Sequence, residues 1–185
     1  MSDERFPETL LTDYRALLTQ LDAFSARIRA RYGEQMRCRR GCADCCQHLS
    51  LSAVEGAFIR QALYALPWHE QEEVRRYAAH SGEEVCPLLR EDVCLLYAVR
   101  PVICRTHGLP LLYQTEDGPQ VSCCPHNLAA FSTESLPGTD VLNMEVVNTM
   151  LAAIDAVFTR ECPSGTPKER RLLRDWLVNY SKRLY

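Results

Sequence analysis

Several features that would place this sequence in a familiar class are missing from it. No apolar run approaches the ~20 residues that a membrane-spanning helix needs, and the opening segment MSDERFPETL has neither the basic nor the apolar part of a secretory signal. A glycine-rich phosphate loop, a dinucleotide fingerprint and a nucleophile elbow are missing too. We therefore expect a cytoplasmic protein without membrane contact, and no nucleotide-dependent chemistry.

The sequence also has no large excess of charge of either sign. The formal net charge is -3 and the isoelectric point is about 6.0, which gives no overall attraction to nucleic acid or anionic membranes. Six arginines are nevertheless concentrated before and within the first cysteine cluster: Arg27, Arg29, Arg31, Arg37, Arg39 and Arg40. Either they bind an anionic partner or they form a solvated helix end beside an anionic centre. The lack of an aromatic stacking platform favours the second interpretation, so nucleic acid is not an expected partner, while a protein partner stays open.

Length and composition are those of an ordinary globular protein. The chain has 185 residues, of which 46% are apolar and 24% charged. Chains of this size usually bury one core. We therefore expect a single domain spanning residues 1–185.

Apolar residues repeat at three- and four-residue steps near both ends of the chain, which is typical of amphipathic helices. The first stripe predicts a helix over residues 9–32, ended by Gly33. Ser52-x-x-Glu55 reads as a capping box that opens a second helix, which should stop before Pro67. A third helix is predicted over residues 68–79.

The C-terminal part carries two further helical patterns. A stripe of apolar residues predicts a long helix over residues 140–160. Thr166 as N-cap, Pro167 at the first helical position and Glu169 at the third predict a last helix, which continues through Tyr180 and packs back on the core. The predicted helical flanks are therefore residues 8–33 and 140–185.

Between these flanks the helical period disappears, and Cys, Pro and Gly become frequent. The stretch PLLYQTEDGPQVSC contains two short extended runs around a Thr-Glu-Asp-Gly turn, which predicts a β-hairpin ending at Cys123 and Cys124. The predicted fold class is mainly α with a small β-hairpin. In it, a single helical domain brackets an irregular cysteine-rich metal-binding lobe over residues 38–127.

Cysteine is the residue that the sequence has in abundance, with ten in all. In a reduced cytoplasm ten cysteines are a poor disulfide framework, so their clustering favours metal binding or redox chemistry. Three- and four-residue spacings would place Cys38, Cys42 and Cys45 on one side of a helical turn. Cys162 lies outside the clusters and is not expected to bind metal. The nine candidate metal ligands are Cys38, Cys42, Cys45, Cys46, Cys86, Cys94, Cys104, Cys123 and Cys124.

The number of metal centres is limited by the number of ligands that each centre needs. A tetrahedral zinc ion or a four-iron cluster takes four cysteines, so nine candidates exceed one site. Either two centres are present, or one is present and the other thiols are buried apolar groups or redox partners. Adjacent residues point in different directions in a helix or strand. We therefore expect Cys45 and Cys46, and likewise Cys123 and Cys124, to supply one ligand per pair at any one metal.

Three histidines follow the cysteine motifs closely. His48 and His107 lie near enough in sequence to supply a nitrogen ligand or to modulate a thiolate. His126 follows the second pair and is a weaker candidate. A surface or hydrogen-bonding role is more typical of a histidine in such a position, and we expect it for each of the three.

Two arginines and a tyrosine accompany Cys104. Arg100 and Arg105 could donate hydrogen bonds to sulfur, which would lower a thiol pKa, or they could form structural salt bridges. Tyr97 could close the site, but it is expected to fill the core.

These motifs together resemble those of the YkgJ-like cysteine-cluster family, which is named for a CxxCxxCC-type pattern. The resemblance is carried by CRRGCADCC, by CPLLREDVCLLYAVRPVICR and by the later CC pair, over roughly residues 38–124. The sequence departs from the pattern by placing three residues between Cys38 and Cys42. The family is described as zinc- or iron-chelating, so the resemblance implies a metal bound in the cytosol. A similar motif occurs in flagellin lysine methylase, where an iron-sulfur cluster is implicated.

Two functions from different classes are consistent with these features. The first is a cytosolic metal-binding protein that chelates zinc or iron through the cysteine cluster, either to organise the middle lobe or to store and transfer the metal. The alternative is an iron-sulfur oxidoreductase or accessory enzyme that uses the same cysteines. A third, weaker hypothesis is an adaptor with the arginine stretch as its contact face. Thiolates suit zinc and iron alike, so the sequence leaves the metal and any catalysis open.

Overall fold

Helices account for most of the regular structure. The computed structural model describes residues 8–162 and 169–178. The α-helices are α1 (Thr12–Tyr32), α2 (Ala53–Tyr64), α3 (Trp68–His80), α4 (Val102–Thr106), α5 (Met144–Glu161) and α6 (Leu173–Val178). The strands are β1 (Ser50–Leu51), β2 (Leu89–Arg90), β3 (Val93–Cys94), β4 (Leu111–Thr115), β5 (Gly118–Ser122), β6 (Leu142–Asn143) and β7 (Arg171–Leu172). Single 3-10 turns cover Glu8–Leu11, Gly33–Gln35, Tyr97–Val99, Thr133–Ser135 and Gly138–Asp140.

This arrangement is mainly α with small β elements, which confirms the predicted fold class. The predicted hairpin is the antiparallel pair β4 and β5, in which Tyr113 lies opposite Gln120. Along the stretches that the structure describes, none of the helices combines the length and the apolar character needed to cross a membrane.

The local signals at α1 and α2 act as predicted. Gly33 has a φ of +50°, a left-handed conformation that ends a helix and that glycine adopts without steric cost. The capping box at the start of α2 is formed, with the Ser52 N–H donating to Glu55 Oε2 at 3.1 Å. The helix ends at Tyr64, before Pro67, and α3 covers the predicted third helix.

The long C-terminal helix starts later than predicted, at Met144 instead of residue 140. Leu142 is drawn into a parallel pairing with Leu111 of β4, so the chain is extended immediately before α5. Asn143 then caps the helix, because its Oδ1 accepts the N–H groups of Glu145 and Val146 at 3.0 and 3.3 Å. Strand pairing therefore overrides the helical period in this short segment.

The last helix also starts later than predicted. The proposed cap residues Thr166 and Pro167, and Tyr180, lie outside the described residues, but α6 begins only at Leu173. The two residues before it form β7 and pair with β1, where Ser50 lies opposite Leu172. The predicted packing of this helix on the core is confirmed by its buried side chains, Leu173, Trp176 and Leu177.

Residue contacts divide the chain into two compact units. The first unit is drawn from Met1–Tyr14, Arg40–Pro101 and Ile154–Tyr185, and the second from Arg15–Arg39 and Val102–Ala153. In the first unit the buried face of α2 packs against α6, with Gly56 directly beneath the indole of Trp176. Phe58 meets Tyr14 edge to face, with ring centroids 5.3 Å apart.

The second unit contains the three-stranded sheet in the order β5, β4, β6. Its fully buried carboxylate is Asp140, which accepts hydrogen bonds from Tyr32 at 2.7 Å, from Arg27 at 3.2 Å and from Arg31 at 3.3 Å. Two arginines of the sequence stretch that could have contacted an anionic partner are thus engaged within the unit. Burial, followed by the hydrogen bond to Asp140, raises the pKa of Tyr32.

Candidate metal centre

The segment that carries the first four cysteines is irregular rather than helical. Gly41 has a φ of +91°, and tight turns follow it, with the Cys46 N–H donating to the Ala43 carbonyl at 2.8 Å. The spacing of Cys38, Cys42 and Cys45 would place them on one side of a helical turn, but no helical turn forms here. The left-handed glycine interrupts any helix at this point.

The nine candidate cysteines are distributed over both units. The first thiol group belongs to the first unit and consists of Cys42, Cys45, Cys46, Cys86 and Cys94. The second thiol group belongs to the second unit and consists of Cys38, Cys104, Cys123 and Cys124. Every cysteine of the chain lies in the described residues, and none forms a disulfide bond.

Two local backbone features assemble the first thiol group. An antiparallel bridge between Gln47 and Val85 aligns their neighbours, so the Cys86 N–H donates to the Cys46 carbonyl at 3.3 Å. The two-residue hairpin of β2 and β3 then turns the chain back. Both of its turn residues, Glu91 and Asp92, have positive φ values of 49° and 59°. The hairpin brings Cys94 back beside the segment that follows Cys86.

The electrostatics of Cys46 show that these thiols influence one another. Burial raises the pKa of Cys46, and negative charge on Cys86, Cys94 and Cys42 raises the pKa further, while a hydrogen bond from Cys45 lowers it. Ionising several of these thiols together is therefore unfavourable in the protein alone. A bound cation would remove that penalty, because it offsets the thiolate charges.

Backbone amides are also directed at two sulfurs of this group. Burial is the main influence on Cys86 and Cys94 and raises the pKa of each thiol. The N–H of Leu88 opposes that shift at Cys86, and the N–H of Leu96 does so at Cys94. Such N–H donors stabilise the thiolate, which is the form that binds metal. Soft sulfur ligands with backbone donors fit zinc or an iron-sulfur cluster.

The cysteine side chains are not arranged around one common point. Over residues 8–162 and 169–178, no three Cys, His, Asp or Glu side chains converge in a geometry that could hold a metal ion. Zinc requires each sulfur at about 2.3 Å. A shared ion therefore requires side-chain rotation at these cysteines.

Two cysteines of the second thiol group, Cys38 and Cys124, meet at Gly108. This residue has a φ of +94°, and a Cβ at this position would lie 2.7 Å from Cys38 Sγ and 3.6 Å from Cys124 Cβ. Only glycine leaves room for the Cys38 sulfur here. Residues far apart in sequence thus meet at one backbone position.

Asn127 connects the segments that carry these thiols. Its side chain is buried, and its Oδ1 accepts the N–H groups of Arg37 and Cys38 at 2.7 and 3.1 Å. Its Nδ2 donates to the carbonyl of Gly108 at 2.6 Å. Its own N–H donates to the Cys124 carbonyl at 2.8 Å. One asparagine therefore holds three separate segments together.

Further contacts stabilise the same neighbourhood. The Cys123 thiol donates to the Asn127 carbonyl at 3.5 Å, and burial together with the nearby Cys124 raises the pKa of Cys123. Arg29 donates to the Cys38 carbonyl at 2.6 Å. Cys104 lies in α4, four residues before Gly108, and is half-buried.

The histidines differ in their surroundings. His48 Nδ1 lies 3.1 Å from the Glu83 carbonyl, and because a carbonyl oxygen only accepts, this nitrogen carries the proton. Its Nε2 is buried and has no hydrogen-bond partner among the described residues. His107 and His126 are exposed. Of the three, His48 has the orientation that metal-ligating histidines show.

The charged and aromatic neighbours of Cys104 have separate roles. Arg105 pairs with Asp22, with N–O distances of 2.6 and 2.7 Å, so the salt-bridge alternative is the one observed. Arg100 stacks 3.6 Å above the ring of Tyr97, and its charge lowers the pKa of Cys94. Tyr97 is 40% exposed, so the expectation that it fills the core is wrong.

Sequence reasoning missed Gly108 and Asn127. Neither belongs to a cysteine motif, and a single glycine or asparagine is common in any loop. The position of Asn127 three residues after a Cys pair is the only local signal, and it does not indicate contact with Arg37.

Comparison with known proteins gives one match. Residues 37–125 match the family model CxxCxxCC, whose description is "Putative zinc- or iron-chelating domain". The predicted resemblance to this cysteine-cluster family is thereby confirmed, over just under half of the chain. No curated protein and no solved structure matches the chain.

Proposed function

We propose that this protein chelates zinc or iron through thiolates drawn from its nine clustered cysteines. The observation that carries the proposal is the first thiol group, in which four other thiols act on the pKa of Cys46. The match of residues 37–125 to a chelating family supports it independently.

The chemistry of the site favours a metal over a set of structural thiols. Cys46, Cys86 and Cys94 are each partly or fully buried. Negative charge on Cys86 or Cys94 raises the pKa of Cys46, and negative charge on Cys94 also raises the pKa of Cys86. A buried cluster of apolar thiols would have no need of the backbone N–H groups directed at Cys86 and Cys94. Metal binding makes use of both features, because it deprotonates the thiols and then holds the thiolates.

A reducing compartment is part of the same proposal. Ten cysteines without a disulfide are suited to the cytosol, where thiols stay reduced and available to metal.

The test is the metal content of the purified protein. The protein is purified without oxygen from cells supplied with zinc and iron, and zinc, iron and acid-labile sulfide are measured together with the visible spectrum. Zinc without colour supports chelation. Iron with matching sulfide and a broad visible band supports the iron-sulfur alternative at the same cysteines. A protein that carries neither metal, and takes up neither after reduction, contradicts both.

Variants identify the ligands. Cys46→Ser combined with Cys86→Ser removes two central thiols of the first thiol group, and we expect zinc affinity there to fall by more than about 10-fold. Cys162→Ser is the matched control, because this cysteine lies at the end of α5 outside both thiol groups. Equal metal binding by the double variant and the control would exclude the first thiol group as a site.

A further inference from the structure

We propose that the second thiol group forms a metal centre of its own, held by Cys38, Cys104, Cys123 and Cys124 and assembled by Asn127. The centre would take a thiophilic cation of the zinc or iron class. This inference rests on the proposed function, but it names different residues and predicts a second metal per chain.

Cys38 lies beside Cys124 at Gly108. Its sulfur and Cys124 Cβ both lie within 3.6 Å of the point where a Gly108 Cβ would stand. By sequence, Cys38 belongs to the first motif, together with Cys42. The structure places it in the second unit, beside Cys124, which follows it by 86 positions in the sequence.

The backbone at the adjacent cysteine pair is irregular. Cys123 and Cys124 follow the end of β5 and belong to no helix or strand. An irregular backbone is the condition under which neighbouring side chains can face one ion. The expectation of one ligand per pair rested on regular backbone, which this pair does not have.

The number of candidate thiols in the second unit equals the number of donors that a tetrahedral metal site needs. The second unit contains four candidate cysteines, and tetrahedral thiolate sites take four. Cys104 is the donor whose contact with the others is least direct, since it is placed by α4 one turn before Gly108. Its side chain is nevertheless half-buried, and the chain runs from it directly to Gly108, where Cys38 and Cys124 meet.

Asn127 acts as a positioning residue for these thiols. Its side-chain amide accepts the N–H groups of Arg37 and Cys38 and donates to the Gly108 carbonyl. Its main-chain N–H donates to the Cys124 carbonyl, and its main-chain carbonyl accepts from the Cys123 thiol. A buried amide with these partners orients the ligand segments without touching the metal. Groups in this position typically change metal affinity about 10- to 100-fold.

The experiment is a zinc titration of the reduced, chelator-treated full-length protein, followed by metal analysis of the complex. We expect the wild type to bind about two equivalents of zinc, one per thiol group. Cys38→Ser with Cys124→Ser should keep one, and Cys46→Ser with Cys86→Ser should keep the other. A second titration with Co²⁺ reports on each remaining site through its thiolate charge-transfer absorption.

The outcomes separate the two proposals. If the wild type binds one equivalent and both double variants lose it, chelation stands but the second centre is excluded. If the Cys38/Cys124 variant keeps the full wild-type stoichiometry, the second thiol group is likewise excluded. If the wild type binds no zinc or cobalt, both proposals fail.

Asn127→Ala tests the positioning role. We expect it to weaken the second equivalent by about 10- to 100-fold and to leave the first unchanged, so the first equivalent reports that the variant is folded. Asn143→Ala is the matched control, because the Oδ1 of that amide accepts the N–H groups of Glu145 and Val146 at the start of α5. Equal weakening of both equivalents by Asn127→Ala, or an equal effect of the control, would contradict a specific role.

Discussion

Gly56 is the residue at which α2 has no room for a side chain. A Cβ built there would lie 2.0 Å from the indole of Trp176, which is almost completely buried. A glycine in the middle of a helix normally costs about 1 kcal/mol relative to alanine. The close approach of α2 and α6 explains why glycine is used here despite that cost.

Gly56→Ala should therefore destabilise the protein although it improves helix propensity. We expect a net loss of about 1–3 kcal/mol, because the buried indole must move to admit the methyl group. Chemical denaturation followed by tryptophan fluorescence measures it. Gly82→Ala is the control, since a Cβ at Gly82 meets nothing within 4 Å. Unchanged or greater stability of Gly56→Ala would show that the two helices are not so closely packed.

Asp140 shows how a buried charge is accommodated by the same unit that carries the second thiol group. Its carboxylate is fully buried, and its donors Arg27 and Arg31 have about half of their side chains exposed. A buried carboxylate without such partners would be costly. Two members of the arginine stretch therefore have a structural role, which weakens the adaptor hypothesis that used them as a contact face.

The hairpin of β2 and β3 is short, but it determines the position of Cys94, which lies opposite Leu89. Its turn residues Glu91 and Asp92 both adopt left-handed conformations, which favour asparagine and glycine over these residues. The turn is therefore strained by its own sequence, and the hairpin keeps its shape through its neighbours. The Tyr77 hydroxyl, for example, donates to the Leu89 carbonyl.

Glu91→Asn combined with Asp92→Gly should relieve this strain. We expect an increase of about 1 kcal/mol in unfolding free energy, with zinc binding by the first thiol group retained. Asp117→Gly is the control, because Asp117 occupies the turn of β4 and β5 without a positive φ. Stabilisation by the control alone would contradict the argument from turn conformation.

The helices and strands also show which parts of the fold could be predicted from the sequence. The periodic stripes and the capping box at Ser52 predicted α1 to α3 closely, because those signals act within one element. The pairing of Ser50 with Leu172 has no local signal, and it replaced part of a predicted helix. The candidate metal site shows the same difference between local signals and contacts distant in sequence. The cysteines could be recognised from their spacing, but the association of Cys38 with Gly108 depends on contacts distant in sequence.

At the scale of the whole molecule, the two thiol groups lie among segments with little regular structure. Residues 36–46 and 123–128 belong to no helix or strand, and β2 and β3 have two residues each. Hydrogen bonds within such short elements provide little stability on their own. In contrast, the longer helices bury continuous apolar faces.

Removal of metal should therefore loosen the cysteine-bearing segments while the long helices persist. We expect amide hydrogen exchange over residues 38–48, 86–95 and 123–128 to accelerate by at least about 10-fold after chelation, because metal binding contributes directly to the folding energy of such segments. Amides within α2 and α5 should keep most of their protection. Cys162→Ser protein should respond to chelation as the wild type does, whereas Cys46→Ser with Cys86→Ser should already exchange rapidly at residues 86–95 before chelator is added. Exchange that stays unchanged after complete removal of the metal would show that the thiol groups bind metal without being organised by it.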